Sequence, residues 1–251
     1  MTAVQGTAVD IPTADGTADA YLAHPDDGAA HPAVLVFMDA FGLRPQLRSM
    51  ADRLAAEGYT VLVPNVFHRH GRAPLFDLPA FIDPGACPEL FQRIVPVMQA
   101  LTSDLAMRDA GAFLSWLDGH SAVADGPVAL TGYCMGARLS LLTAGTYPDQ
   151  VAAAAGFHGG RLATDTPDSP HLVAGKVTAE LYFGHADQDP SLPEEQIERL
   201  EEALTSAGVR HRCEVYTGAP HGFTQADTAS YHQEGDERHW SALLDLLKRT
   251  F

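Results

Sequence analysis

The sequence Gly132-Tyr133-Cys134-Met135-Gly136 follows an apolar run, residues 127–130, and precedes a segment whose apolar residues have helical spacing. A strand is therefore expected to turn sharply into a helix here, with a thiol at the turn. Small residues on both sides of a nucleophile permit such a strained turn, and the N-terminus of the following helix favours a thiolate. A buried structural cysteine is the alternative reading, and the motif alone does not decide between the two.

Short apolar runs alternate with longer segments of helical period along most of the chain. The runs that predict strands are residues 33–38, 60–63, 128–130, 151–156, 179–183 and 213–216. The segments that predict helices are residues 47–57, 101–117, 135–146, 193–207 and 236–248. This alternation is typical of an α/β protein, with a mostly parallel central sheet and helices on both faces.

The length of 251 residues, 46% of them hydrophobic, predicts a single domain over residues 1–251 with a large core.

One segment departs from the alternation of predicted strands and helices. Residues 67–92 are rich in proline, glycine and aromatic residues and have no clear period. Excursions of this length in compact domains often form lids or pocket walls, and a plain surface loop is the alternative.

Composition and charge exclude several classes of function. The formal charge is −16 and lysines and arginines are not clustered, which argues against nucleic acid as a partner. The sequence shows neither a signal-peptide pattern nor an apolar run near the ~20 residues of a membrane span, so a cytoplasmic protein without membrane attachment is expected. Three scattered cysteines predict free thiols. No metal or other cofactor is expected. The sequence leaves the oligomeric state open between a monomer and a homodimer.

Two later loops carry the groups that would activate a thiol. The sequence Gly184-His185-Ala186-Asp187-Gln188-Asp189-Pro190 follows one predicted strand, and Gly218-Ala219-Pro220-His221-Gly222-Phe223 follows the next. Functional groups in parallel sheets gather at the carboxyl ends of strands, so these loops are expected beside Cys134. The order nucleophile, acid, histidine is that of α/β-hydrolases. His158 and His185 also lie near predicted strand ends and compete with His221 for the role of base.

The chain resembles the dienelactone hydrolase family over nearly its whole length. The resemblance is carried by G-Y-C-M-G at residues 132–136, by the D-x-x-x-P loop that begins at Asp189, and by P-H-G-F at residues 220–223. A further match is Met38-Asp39-Ala40-Phe41-Gly42 after the first apolar strand. The resemblance implies an α/β-hydrolase fold and an enzyme that needs no cofactor.

The same resemblance implies roles for the triad. Cys134 would be the nucleophile, His221 the base and an aspartate the orienting acid. Asp189 is preferred because the family places its acid four residues before a proline, whereas Asp187 fits when counted forward from Gly184. The implied oxyanion hole consists of the backbone amides of Met135 and Ala40.

Asp39 and Gln225 are the positions at which this sequence departs from the family. An acid at position 39 contacts the resting cysteine in the resembling enzymes and helps to activate it, but the best-known members have glutamate there. Asp39 is therefore expected to assist Cys134, or to pair with Arg44 or Arg138. Gln225 stands where dienelactone-cleaving members hold the substrate carboxylate with an arginine.

The candidate substrate-binding residues are inferred from these motifs and loops. The side chains predicted to contact substrate are Phe41, Tyr133, Arg138, His158 and Phe223. An arginine elsewhere in the chain could replace the missing cation. The candidates are Arg93, Arg138 and Arg161.

These observations predict a hydrolase that cleaves a small carboxylic ester or lactone through a Cys134 thioester. Two other functions stay open. A ligand-binding or sensory protein could retain the hydrolase scaffold without turnover, although the complete set of triad residues argues against it. Cys134 could alternatively sense peroxide by forming a disulfide with Cys87.

Overall fold

An eight-stranded sheet forms the centre of the protein, and the computed structural model describes residues 3–83 and 85–251. The strands are β1 Val4–Thr13, β2 Gly16–Pro25, β3 Ala33–Phe37, β4 Thr60–Pro64, β5 Val128–Tyr133, β6 Val151–Phe157, β7 Glu180–Ala186 and β8 His211–Tyr216. Their order across the sheet is β1-β2-β4-β3-β5-β6-β7-β8. The six strands β3 to β8 are parallel; β2 pairs antiparallel with β4, and β1 pairs antiparallel with β2. The predicted α/β class is confirmed.

Helices cover both faces of the sheet. They are α1 Pro45–Ala56, α2 Pro88–Ala100, α3 Ser103–Asp118, α4 Met135–Thr146, α5 Glu194–Ser206 and α6 Gln233–Thr250. Successive residues of a strand point to opposite faces. In β6, a side chain at Gly156 would meet Ala137 of α4, whereas the ring of Phe157 packs against His239 of α6. Helices α4 and α6 therefore lie on opposite faces.

The central strands are buried on both sides, as their composition predicts. Every residue of β3, β4 and β5 is buried. Strand β5 is longer than the apolar run that predicted it, because Gly132 and Tyr133 continue the pairing with Gly156 and Phe157 of β6. The strand consequently extends up to the residue before Cys134.

The sequence interpretation missed the hairpin of β1 and β2. Strand β1 is largely exposed and lies at the edge of the sheet, so it lacks the continuous apolar run that marked the central strands. A usable signal was present at Asp15-Gly16, because Asp15 lies in the turn between the two strands and Gly16, the first residue of β2, has φ of 131°. An Asp-Gly pair between alternating residues is a strong hairpin signal.

The excursion at residues 67–92 ends differently from the prediction. It contains one turn of 3₁₀ helix, His68–His70, and irregular chain, but helix α2 already begins at Pro88. Proline is favoured at the first position of a helix, and Leu90 and Ile94 bury one side of α2. Pro96 inside the helix obscured this period in the sequence.

None of the helices in the described part of the chain is long and apolar enough to cross a membrane.

His185 of β7 is a buried titratable group at the core. Its side chain lies beside Phe183, the residue is 1% exposed, and neither ring nitrogen has a hydrogen-bond partner among the described residues. Burial disfavours the charged ring and lowers the pKa of His185 to about 4. The folded protein therefore holds this ring neutral at a pH where the unfolded chain binds a proton.

We expect His185 to weaken the fold in mild acid. Between the unfolded pKa of about 6.5 and the folded pKa of about 4, the unfolded state carries the extra proton, so stability falls as the pH falls. The free energy of unfolding of the wild type should lose up to about 1.4 kcal/mol per pH unit from this group. Denaturant unfolding of wild type and His185→Phe, at pH 7.5 and 4.5, measures the difference. Equal pH dependence of the two proteins would contradict the prediction.

Candidate active site

The turn at Cys134 connects β5 to α4 and strains the backbone. Cys134 has φ of 55° and ψ of −113°, a region that residues with a side chain rarely occupy. A Cβ atom at Gly132 would lie 2.0 Å from the carbonyl oxygen of Gly136, and one at Gly136 would lie 2.2 Å from the carbonyl oxygen of Phe37. Both flanking positions therefore require glycine, and the turn presents the thiol at the carboxyl edge of the sheet.

Cys134, His221 and Asp189 form a continuous chain of contacts. The Nε2 atom of His221 lies 3.0 Å from Sγ of Cys134, and its Nδ1 atom lies 2.6 Å from Oδ2 of Asp189. The other oxygen of Asp189 accepts hydrogen bonds from the amide of Ser191, at 2.8 Å, and from its hydroxyl, at 2.7 Å. Ser191 was not identified from the sequence, although it stands two residues after the acid in the same loop.

Asp187 occupies a different position from Asp189. Its Oδ2 atom accepts a hydrogen bond from the amide of Gly218 at 2.8 Å, and its own amide donates to the carbonyl of Ala219 at 2.8 Å. Asp187 therefore ties its loop to the loop that carries His221. Of the two candidate acids, Asp189 is the one hydrogen-bonded to the imidazole.

The electrostatic environment favours a charged His221. Burial opposes the charged ring, but the adjacent sulfur, if ionised, and the Asp189 carboxylate outweigh it and raise the pKa of His221 to about 10. About one third of the His221 side chain is exposed. Burial tends to raise the pKa of Asp189, but the hydrogen bonds from His221 and Ser191 lower it. The pair is thus set up as imidazolium and carboxylate.

A pocket of about 280 Å³ opens directly onto the thiol. The residues that line it are Asp39, Ala40, Phe41, Phe91, Cys134, His158, His221, Gly222, Gln225, Thr228 and Ser230. The rings of Phe41 and Phe91 meet edge to face with centroids 5.8 Å apart. Phe91 belongs to α2 and was missed as a pocket residue because the sequence showed no regular helix there.

The structure brings two of the five predicted substrate contacts, Phe41 and His158, to this pocket. The other three predictions need correction. Tyr133 is fully buried, with its hydroxyl 3.0 Å from Nε2 of His239. Phe223 is fully buried against Tyr216 and His158. Both side chains instead pack in the core.

Arg138 lies outside the catalytic pocket. Its side chain lines a separate small cavity with Met98 and Leu101, because it projects from α4 towards the end of α2. Arg93 and Arg161 are exposed, and neither lines the catalytic pocket. None of the three arginines that could have compensated for Gln225 therefore faces the thiol.

The predicted oxyanion donors flank the nucleophile. Ala40 lines the pocket, and Met135 is the first residue of α4. The turn at residues 39–42 is closed by a hydrogen bond from the amide of Gly42 to the carbonyl of Asp39, at 3.2 Å. The first amides of a helix lack partners within the helix, so the Met135 amide is available to a ligand.

Asp39 is buried beside the nucleophile and pairs with Arg44. Its Oδ1 atom accepts hydrogen bonds from Nη1 of Arg44, at 2.7 Å, and from the amide of Phe41, at 3.0 Å. Its Oδ2 atom is buried and has no hydrogen-bond partner among the described residues. Of the two arginines considered from the sequence, Arg44 is the partner and Arg138 is not.

His158 is held neutral behind His221. The residue is fully buried, and burial together with the nearby charge of His221 holds the pKa of His158 well below its usual range. Its Nε2 atom lies 2.8 Å from the hydroxyl of Thr224, which in turn accepts a hydrogen bond from Nε2 of Gln225. His158 is not hydrogen-bonded to Cys134, and neither is His185.

Comparison with known proteins agrees with the fold and the motifs. The model of the dienelactone hydrolase family matches residues 18–251. The chain belongs to the dienelactone hydrolase family. The predicted enzyme class, a hydrolase of carboxylic esters or lactones, is confirmed by this membership.

Individual relatives of this dienelactone hydrolase family member are distant in sequence but match most of the chain. A Synechocystis protein provisionally named carboxymethylenebutenolidase is 29% identical over 248 residues, covering 98% of this chain and 97% of that protein. The carboxymethylenebutenolidase of Rhodococcus opacus is 28% identical over 232 residues, covering 91% and 85%. A crystal structure of a provisional dienelactone hydrolase from Klebsiella pneumoniae superposes with a TM-score of 0.81 at 26% identity, covering 97% and 98%.

No metal centre accompanies this site in the part of the chain that the structure describes. Groups of three or more His, Cys, Asp or Glu side chains arranged to hold an ion are absent from residues 3–83 and 85–251. His68 instead packs near Asp109, with Nδ1 and Oδ2 3.9 Å apart.

We expect the pKa of His221 to depend on Asp189 and not on Asp187. Asp189→Asn removes the carboxylate that stabilises the charged ring, so the pKa of His221 should fall by roughly one pH unit or more from about 10. Asp187→Asn is the matched control, because Asp187 bonds the loop rather than the ring. An NMR titration of the His221 ring measures both. If the pKa of His221 fell equally in the two variants, the assignment of Asp189 as the orienting acid would be wrong.

Proposed function

We propose that this dienelactone hydrolase family member cleaves a small carboxylic ester or lactone through a thioester on Cys134. One observation carries the proposal: His221 lies 3.0 Å from the sulfur of Cys134 and 2.6 Å from the carboxylate of Asp189, at a strained strand-to-helix turn. A nucleophile, a base and an orienting acid in contact with one another are what acyl transfer by a side chain requires.

In the acylation half-reaction, the sulfur of Cys134 attacks the carbonyl carbon of the substrate. His221 takes the thiol proton, or already holds it, and Asp189 stabilises the imidazolium and fixes its orientation. The carbonyl oxygen becomes an oxyanion, for which the amides of Ala40 and Met135 are the proposed donors. When the tetrahedral intermediate collapses, the C–O bond breaks and His221 returns the proton to the leaving alcohol oxygen.

In the deacylation half-reaction, water replaces the alcohol. His221 removes a proton from the water, the hydroxide oxygen attacks the thioester carbon, and the C–S bond breaks. The carboxylic acid product leaves and Cys134 recovers its proton from His221. The pocket of about 280 Å³ limits the proposal to small substrates or to substrates whose leaving group extends into solvent.

Two relatives support a lactone as well as an open ester. Their names, provisional in the case of Synechocystis, identify carboxymethylenebutenolidases, which open a lactone ring. In a lactone the leaving oxygen stays attached to the acyl group, so both halves of the substrate must fit beside Phe41 and Phe91 until deacylation.

Asp39 is proposed to assist the attack of Cys134. Its carboxylate lines the pocket, and its free Oδ2 atom can contact the thiol or hold it in place before substrate binds. Arg44 anchors the other oxygen, so the side chain is held at the pocket wall.

We expect Asp39→Asn to slow acylation more than deacylation. The amide keeps the size of the side chain but removes the negative charge beside the nucleophile. The second-order rate of acylation by a 4-nitrophenyl ester, measured as the burst of nitrophenolate in stopped flow, should fall about tenfold or more. The steady rate after the burst should change less. Equal slowing of both phases would argue against a role in activating the thiol.

Replacement of the nucleophile tests the mechanism directly. Cys134→Ala should reduce hydrolysis of 4-nitrophenyl acetate by about 10³-fold or more, because the covalent intermediate cannot form. Cys213→Ala is the control, since burial raises the pKa of Cys213 to about 12 and the residue lies in β8. Intact-protein mass spectrometry after rapid acid quench should show one added acetyl group on the wild type.

The two other functions give different results in the same experiments. A ligand-binding protein without turnover would show no burst and no dependence of hydrolysis on Cys134. A peroxide sensor would form a Cys87–Cys134 disulfide, detectable as a cross-linked peptide after peroxide treatment. Absence of a burst, or full retention of hydrolysis in Cys134→Ala, would overturn the proposed mechanism, and a Cys87–Cys134 disulfide would favour the peroxide sensor.

A further inference from the structure

The wall of the catalytic pocket contains no lysine or arginine among the described residues. The charged or chargeable groups on it are the carboxylate of Asp39, the thiol of Cys134 and the rings of His158 and His221. His221 is already paired with Asp189, and burial holds His158 neutral. An anionic substrate group would therefore meet no free cation on this wall.

Arg44 donates hydrogen bonds to two residues of this wall, Asp39 and Gln225, and all of its donors are occupied. An arginine side chain has five N–H groups. Nη1 donates to Asp39 Oδ1 at 2.7 Å and to the Gly42 carbonyl at 3.3 Å. Nη2 donates to Gln225 Oε1 at 2.9 Å and to Asp227 Oδ1 at 3.0 Å, and Nε donates to Asp227 Oδ2 at 2.6 Å. No N–H group remains for a substrate carboxylate.

Arg44 and its side-chain partners Asp39, Gln225 and Asp227 form a cluster, here called the Arg44 cluster. This cluster has an excess of negative charge. One guanidinium lies between two carboxylates, Asp39 and Asp227, and Arg44 is only 4% exposed. The Oδ2 atom of Asp39 is buried within this cluster without a hydrogen-bond partner among the described residues, and Asp39 itself lines the pocket. The charge of −16 on the whole chain adds to the same field.

These features oppose the binding of a carboxylate. A carboxylate that enters a partly buried pocket loses hydration, and this loss is recovered only when it pairs with a cation and its hydrogen-bond donors. Here every N–H group of Arg44 is occupied, and Oδ2 of Asp39, a residue that lines the pocket, has no hydrogen-bond partner among the described residues. The edge-to-face rings of Phe41 and Phe91 instead suit an apolar acyl or alcohol group.

We propose that the catalytic pocket selects uncharged esters or lactones and discriminates against those whose acyl part carries a carboxylate. This substrate class rests on the proposed function. Its basis is the saturation of Arg44 by Asp39, Gln225 and Asp227, together with the unpaired carboxylate oxygen of Asp39, a residue that lines the pocket.

A matched pair of esters tests the selectivity during turnover. The 4-nitrophenyl ester of monomethyl pimelate is neutral, whereas 4-nitrophenyl hydrogen pimelate differs only by a remote carboxylate. With wild-type protein at pH 7.5, kcat/KM for the neutral ester should exceed that for the anionic ester by tenfold or more. Equal values, or a preference for the anion, would overturn the inference.

Asp227→Asn tests whether the Arg44 cluster sets this preference. Asp227 lines a neighbouring cavity of about 700 Å³ and not the catalytic pocket, so the change removes no side chain from the catalytic pocket wall. It removes one negative charge and one acceptor from Arg44, and the neutral-to-anionic ratio should fall at least threefold. Asp149→Asn makes the same charge change at an exposed site next to β6, at the opposite edge of the sheet, and should leave the ratio unchanged.

Alkylation of Cys134 tests the same selectivity without hydrolysis. Iodoacetamide and iodoacetate are similar in size and differ by one negative charge; with either, the sulfur forms an S–C bond and iodide leaves with the electrons of the C–I bond. Peptide mass spectrometry gives the rates at Cys134 and at Cys87, the internal reference. The amide-to-acetate rate ratio should be at least tenfold higher at Cys134 than at Cys87.

The two assays separate failure of the inference from failure of the proposed function. If neither ester is hydrolysed but Cys134 still prefers iodoacetamide, the pocket rejects anions as inferred and the proposed hydrolysis is wrong. If esters are hydrolysed but Cys134 reacts equally with both reagents, relative to Cys87, the charge selectivity is wrong and the hydrolase proposal stands.

Discussion

The close approach of helix α4 to strands β3 and β5 is the constraint on which the active site depends. Gly136 passes so near the carbonyl of Phe37 that no side chain fits between them, and Gly132 has the same limitation against α4. The chain can make this approach only by placing Cys134 in a strained backbone conformation. The surrounding buried sheet holds this strained turn in place, and the turn presents the sulfur both to His221 and to the substrate pocket.

A second constraint joins three distant parts of the chain. Arg44, at the start of α1, holds Asp39 from the end of β3 and both Gln225 and Asp227 from the loop before α6. Removing any one partner from such a buried cluster leaves charges or donors unsatisfied, which is costly in a low-dielectric interior. The cluster thereby fixes the position of Asp39 beside the nucleophile and uses the cation that an anionic substrate would need.

Prediction from sequence was most successful where one local pattern determines one structure. The apolar runs of β3, β4 and β5 are buried on both sides, which is the arrangement that such runs favour in a parallel sheet. It failed for β1, an exposed edge strand without such a run, and for α2, whose period is interrupted by Pro96. Tyr133 and Phe223 were misplaced because a motif gives the position of a residue along the chain but not the face it occupies.

The sequence by itself determined the α/β class, the sharp turn at Cys134 and the order of nucleophile, acid and histidine, because each can be recognised from short local patterns and their order along the chain. Only the tertiary structure decided that Asp189 rather than Asp187 bonds His221, that Arg44 rather than Arg138 pairs with Asp39, and that Phe91 reaches the pocket. These outcomes depend on contacts between segments far apart in sequence. Two aspartates separated by one residue look alike until the loops pack and one carboxylate meets an imidazole while the other meets a backbone amide.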